Sequence, residues 1–317
     1  MSQEIEHSYL SIRGLKLHIA RTGKVVSGEI GKTTLLFVHG FPEVWYSWRH
    51  QMVAAAAAGF CCIAPDLPGY GLSDPPIDLA KASWEGLMND LLEILDSLSI
   101  SKVFLVAKDF GVKPAFDLAL CHPSRVSGVV TLGVPPLVGS LRLTTGLPEG
   151  FYKSRWKEPG RAEASFGRYD VRRIMRTIYI LFSKAEIPVA EQGLEIMDLV
   201  DESTPLPWWF TEEDLSIYTH LYEKKGFITA LQIPYRTNAA KPECANPRFE
   251  MPMFVIIGQK DYILKFPGME DYMSSEKLKE VAPDHDITYI PEGSHFVQEQ
   301  FPDLVNQLMI HFIKKHL

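Results

Sequence analysis

Three side chains that can hydrolyse a bond together each stand just past an apolar run. Asp109 follows KVFLVAK, Asp261 follows MFVIIGQK and His295 follows ITYIPEGS. Asp109 lies between Ala107 and Gly111, a small-x-acid-x-small pattern. A sharp strand-to-helix turn needs small residues at those two places, because neighbouring backbone passes close to them. The residue at the apex is then presented at the carboxyl end of the sheet, where open α/β sheets bind ligands. An aspartate before a helix can also be a plain N-cap. The company it keeps favours chemistry: nucleophile, acid and histidine follow one another in that chain order, each after a strand.

His39-Gly40-Phe41-Pro42 follows another apolar run, TTLLFV at 33–38. Its position suits an oxyanion hole made by the backbone N–H groups of Phe41 and Phe110. A carboxylate nucleophile suits displacement at a saturated carbon and leaves an alkyl ester on the enzyme. Attack on an ester carbonyl would give an anhydride instead. Water activated by His295, with Asp261 holding the imidazole, can hydrolyse the alkyl ester.

These residues need a rigid frame, and the chain alternates strand and helix signals. Residues 9–19 read as a hairpin turning at Gly14. Runs at 33–38, 60–64, 102–107 and 126–132 read as strands buried on both faces. Helical spacing covers 45–58, 83–98 with Ser83 as N-cap, and 112–121. From about 135 to 247 strand signals fade, aromatics and arginines rise, and helices are expected at 171–182 and 212–224. Strands return at 253–257 and 287–290, and a closing helix spans 296–315. The alternation implies an α/β fold with a mostly parallel sheet and helices on both faces. Residues 1–134 and 248–317 form its two parts, and 135–247 form a mainly helical lid inserted between them.

Composition narrows the rest. The 317 residues are 46% hydrophobic and 22% charged, an ordinary globular balance. A formal net charge of -7 and the lack of a basic run exclude nucleic acid as a partner. No apolar run reaches the length of a membrane span. Cys61, Cys62, Cys121 and Cys244 show no metal-type spacing, and reduced thiols are expected. The opening MSQEIEHSYL reads as no signal peptide, so a cytoplasmic setting is expected. The ending KHL is only a loose match to the peroxisomal SKL.

The chain resembles the α/β-hydrolase-fold epoxide hydrolases of the soluble plant-like type, over nearly its whole length. HGFP at 39–42, PDLPGYGLSD at 65–74, the Asp109 elbow, GQKDY at 258–262 and EGSHFVQEQFP at 292–302 carry the likeness. The resemblance implies that epoxides are opened to vicinal diols through an ester on Asp109, with no cofactor and no metal. It implies a small apolar epoxide and water as partners, and a monomer or homodimer. It also implies two lid tyrosines that supply acid to the ring oxygen. Tyr235, in Pro234-Tyr235-Arg236, is similar to the second of these. Tyr152, in FYKSRW, is similar to the first, with Tyr169 and Tyr179 as alternatives. At the elbow the family usually carries His-Asp-Trp, where this chain has Lys108-Asp109-Phe110. Loss of the Trp removes a halide donor and counts against a haloalkane dehalogenase. Lys108 is expected to point to solvent, or else to raise the local positive potential. A dehalogenase-like enzyme, an epoxide-opening cyclase and a non-catalytic ligand-binding relative are the alternatives.

Overall fold

Apolar runs become central strands where both faces of a sheet are covered. The computed structural model describes residues 4–23, 33–137, 147–237 and 248–317. Cys244 and the expected lid boundary at 247 lie outside the described residues. The sheet contains β1 (Glu6–Ile12), β2 (Leu15–Thr22), β3 (Thr34–Val38), β4 (Cys61–Pro65), β5 (Val103–Lys108), β6 (Val126–Leu132), β7 (Met253–Gly258) and β8 (His285–Ile290). Their order is β1-β2-β4-β3-β5-β6-β7-β8. β2 pairs antiparallel with β1 and with β4, and β3 to β8 run parallel. From β3 the chain steps to β4 on one side and then returns to β5 on the other. Loops leaving β3 and β5 therefore diverge and open a crevice, which is the usual ligand site of such sheets.

The helices are α1 (Arg49–Ala57), α2 (Trp84–Ser97), α3 (Val112–Cys121), α4 (Tyr152–Lys157), α5 (Arg161–Phe166), α6 (Val171–Phe182), α7 (Glu212–Glu223), α8 (Ile228–Arg236), α9 (Met269–Met273), α10 (Glu276–Val281), α11 (Val297–Gln300) and α12 (Pro302–Lys315). The period-2 alternation of the strands splits the core into two layers. Leu36, Val38, Leu105 and Ala107 pack in one layer with α2 and α3, through Leu91, Ile94, Ala115 and Leu118. Leu35, Phe37, Phe104 and Val106 pack in the other with α1 and α12, through Met52, Ala55, Met309 and Phe312. Burying a large apolar side chain fully contributes about 1.5–3 kcal/mol. Ser83 caps α2 as expected, its side chain accepting from the Gly86 N–H.

Two expectations are corrected. The closing helix is two helices, because Pro302 has no N–H to donate and excludes the helical conformation at Phe301, which sits at φ -130 and ψ 59. The thiols are not all reduced: Cys121 is disulfide-bonded, while Cys62 is a free and buried thiol. Among the described residues no helix is long and apolar enough to cross a membrane.

Between β6 and β7 the chain builds α4 to α8. A buried polar cluster ties two of these helices to α1 and α11. Arg49 pairs with Glu299 at 2.6 Å and with Asp214 of α7 at 2.8 Å. Tyr179 of α6 and Tyr218 of α7 donate to Glu299. Burial pushes the Glu299 carboxyl up to about 7 even with Arg49 beside it.

Candidate active site

Asp109 occupies the turn between β5 and α3 with φ at +49, a left-handed conformation that costs a non-glycine residue about 1–2 kcal/mol. The turn is tight because β3 and β5 are adjacent, with Val38 opposite Ala107. At Gly111 an added Cβ would lie 2.3 Å from the His39 carbonyl oxygen, so only glycine lets the loop after β3 pass beneath the elbow. That approach brings the Phe41 N–H to donate to Asp109 Oδ1 at 2.9 Å.

Asp261 follows β7 and His295 follows β8. Nδ1 of His295 is 3.1 Å from both carboxylate oxygens of Asp261, and Asp261 also accepts from the Ile263 N–H. Nε2 of His295 is 3.6 Å from Asp109 Oδ2, an ion-pair contact longer than a hydrogen bond. Burial works against the Asp109 carboxylate. The contact with His295, the Lys108 charge and the Phe41 N–H outweigh it and hold its carboxyl below the usual range. Burial and Lys108 lower the His295 pKa, but Asp261 and Asp109 raise it further, and the net direction is up.

Asp261 reaches His295 across the end of β6, where Gly133 sits at φ +80. A Cβ there would lie 2.7 Å from Asp261 Oδ2. Gly133→Ala should therefore displace the Asp261–His295 pair. Turnover is expected to fall on the order of 10²-fold, the cost of a small misplacement of reacting groups. Thermal unfolding and kcat measured together check this, and parent kcat would show that the site tolerates the shift.

Tyr152 of α4 and Tyr235 of α8 line a small cavity of about 10 Å³ with Phe41, Asp109, Ile178, Phe182, Tyr262, His295 and Phe296. The Tyr152 hydroxyl is 3.3 Å from that of Tyr262. Burial raises the pKa of all three phenols, so they stay protonated. The two alternatives lie elsewhere. Tyr169 donates to Asp198 at 2.6 Å, and Tyr179 donates to Glu299 between the rings of Phe210 and Phe296.

The position of Tyr235 follows from its neighbours. Pro234 lies inside α8 and cannot donate to the Ala230 carbonyl. The hydroxyl of Tyr70, from the PDLPGYG loop, donates to that carbonyl at 3.2 Å. Arg236 grips Glu163 of α5 with both Nη atoms. Phe110 packs its ring on Tyr235, with centroids 5.2 Å apart.

Lys108 does not point to solvent. It is fully buried, with Nζ 3.3 Å from Glu43 Oε2 and 4.8 Å from the centre of the Phe296 ring. Glu43 directly follows the HGFP motif, and no local pattern in the sequence marks it as part of the site. Tyr262 was also missed, although GQKDY includes it. The signal was adjacency to Asp261, which turns the next side chain into the same crevice.

Residues 33–182 match the model of a family described as the alpha/beta hydrolase fold. Epoxide hydrolase 2 of Siraitia grosvenorii is 33% identical over 99% of each chain. The bifunctional epoxide hydrolase 2 of Mus musculus is 27% identical over 98% of this chain and 56% of its own length. Among solved structures, an epoxide hydrolase from Vigna radiata aligns with a TM-score of 0.87 at 29% identity, over 98% of both chains. A laboratory-evolved variant of potato epoxide hydrolase aligns with a TM-score of 0.87 at 30% identity, over 98% of this chain and all of its own.

Proposed function

The chain belongs to the epoxide hydrolase family of the alpha/beta hydrolase fold, and from that premise we propose that it opens small apolar epoxides to vicinal diols through an ester on Asp109. The observation that carries the reading is a carboxylate facing two protonated phenols across one cavity, with an imidazole–carboxylate pair at its side.

Asp109 attacks a ring carbon, a carbon–oxygen bond to the carboxylate forms and the ring carbon–oxygen bond breaks. The released oxygen takes a proton from Tyr152 or Tyr235. His295 then takes a proton from water, and the water oxygen bonds to the carbonyl carbon of the ester. The Phe41 and Phe110 N–H groups stabilise the oxyanion. Collapse restores the Asp109 carboxylate and sends one water proton to the diol. The other returns to the tyrosine, so epoxide and water give diol with nothing left over.

The cavity wall of Phe41, Ile178, Phe182 and Phe296 supports an apolar substrate. In this reading 135–247 act as the lid, and each chain carries the whole constellation, so a monomer suffices and a homodimer is compatible. A cytoplasmic setting suits the free thiol of Cys62 and fits the Cys121 disulfide poorly.

Single-turnover hydrolysis of styrene oxide in heavy-oxygen water tests the route. Label is expected in the Asp109 carboxylate, because water attacks the ester carbonyl. Label only in the diol would mean direct attack of water on the epoxide. With an epoxide that carries its own hydroxyl, a cyclic ether without label would mean capture by that internal hydroxyl.

A further inference from the structure

Lys108 ends β5, one residue before the nucleophile, yet its side chain is wholly buried. The ammonium meets one charged partner, Glu43, at 3.3 Å, and among the described residues neither Lys108 Nζ nor Glu43 Oε2 has a hydrogen-bond partner. The other oxygen of Glu43 accepts from Gln298 at 2.6 Å. A buried ion pair contributes little net stability and is often replaceable by apolar residues at no cost. This pair is held by weak geometry, directly behind the reacting groups. The ammonium sits over the Phe296 ring, and that ring lines the cavity.

The charge count around His295 changes during the reaction proposed above. In the free protein the imidazole lies between the carboxylates of Asp109 and Asp261, which favour imidazolium. Alkylation turns Asp109 into a neutral ester, so the negative charge beside Nε2 of His295 is lost there and passes to the phenolate left on Tyr152 or Tyr235. The Lys108 charge remains and opposes a second cation on His295. Neutral imidazole is the form able to accept a proton from water. We propose that Lys108 is a positioning residue for this second step, its buried ammonium keeping His295 neutral once the charge on Asp109 is lost to the ester. The inference rests on the epoxide hydrolase reading.

Other titratable groups face the same region and stay constant in the comparison. Tyr262 packs on His295 with ring centres 5.0 Å apart, and Tyr152 contacts Tyr262. Lys153, Tyr70 and Tyr235 feel the charge of Asp109. His39, Tyr179, Tyr218, Tyr222 and Glu299 feel that of Glu43, and Arg49 pairs with Glu299.

The test is the pH profile of ester hydrolysis after single-turnover loading with styrene oxide, together with NMR titration of His295. Removing a nearby cation raises the pKa of an imidazole, so the neutral fraction falls at acid pH. In Lys108→Met the acid limb should move to higher pH. Hydrolysis at pH 6 should slow about tenfold, while that at pH 9 stays near the parent rate. Lys108→Arg should restore the parent profile. A folded Lys108→Met with an unmoved limb would overturn the inference, whatever its loss of stability. If the buried Glu43 prevents that variant from folding, Glu43→Gln/Lys108→Met is compared with Glu43→Gln alone. A higher limb in the double variant supports the role, and coincident limbs remove it. If the parent forms no alkyl-enzyme, the reaction reading fails. NMR titration of His295 still decides the charge inference: a higher pKa in the variants lacking Lys108 supports it, and an unchanged one overturns it.

Discussion

His295→Gln should trap the enzyme as its alkyl ester. Glutamine fills much of the same space beside Asp261 but cannot take a proton from water. Asp109, the tyrosines and the Phe41 N–H remain, so opening of the epoxide proceeds. Release then lacks its general base, a contribution typically worth about 10²–10⁴-fold. Intact mass spectrometry is expected to show protein plus one epoxide, located on the peptide that holds Asp109. The 3.6 Å contact between Nε2 and Asp109 Oδ2 places the imidazole beside the ester that would form. A variant that stays unmodified and turns over at the parent rate would remove His295 from the mechanism. A variant that stays unmodified and is inactive would assign His295 to the first step instead.

The parts of the site that were legible in the sequence are those fixed by local sterics. Gly111 is required by backbone passing at the His39 carbonyl, and that requirement is written two positions after Asp109. The strands were legible as apolar runs because both faces of a parallel sheet are covered. Lid helices were harder. α4 and α5 are each 6 residues long, too short for a periodic signal, and α8 carries Pro234. Tyr152, Tyr169 and Tyr179 are alike in type and setting along the chain. Only folding separates them, since Tyr169 and Tyr179 spend their hydroxyls on Asp198 and Glu299. Lys108 was misread for the same reason. A lysine at the end of a strand is usually solvated, and its partner Glu43 arrives from a different loop. No local pattern reports such a pairing.

The tyrosines carry the second large effect. Opening an epoxide develops negative charge on its oxygen, and a free alkoxide is a poor leaving group near neutral pH. A phenol in a dry cavity can hydrogen-bond that oxygen and give it a proton, whereas Phe of nearly the same shape cannot. Tyr152 and Tyr235 come from separate lid helices and converge on the cavity that holds Asp109. Each is buried and packed on other rings, so removing one oxygen leaves the packing in place. Tyr235→Phe and Tyr152→Phe should each slow alkylation of Asp109 strongly, with unfolding temperature near the parent. Either phenol alone still offers partial help, so the double variant should lose far more than either single one, with about 10²–10⁴-fold at stake per general acid. Hydrolysis of a preformed ester should change much less, because it depends on His295 and the backbone N–H groups. Stopped-flow resolution of the two steps separates these effects. If both single variants and the double variant alkylate at the parent rate, the acid comes from elsewhere. Tyr262 is then the next group to replace, since it lines the same cavity and shares its hydroxyl contact with Tyr152.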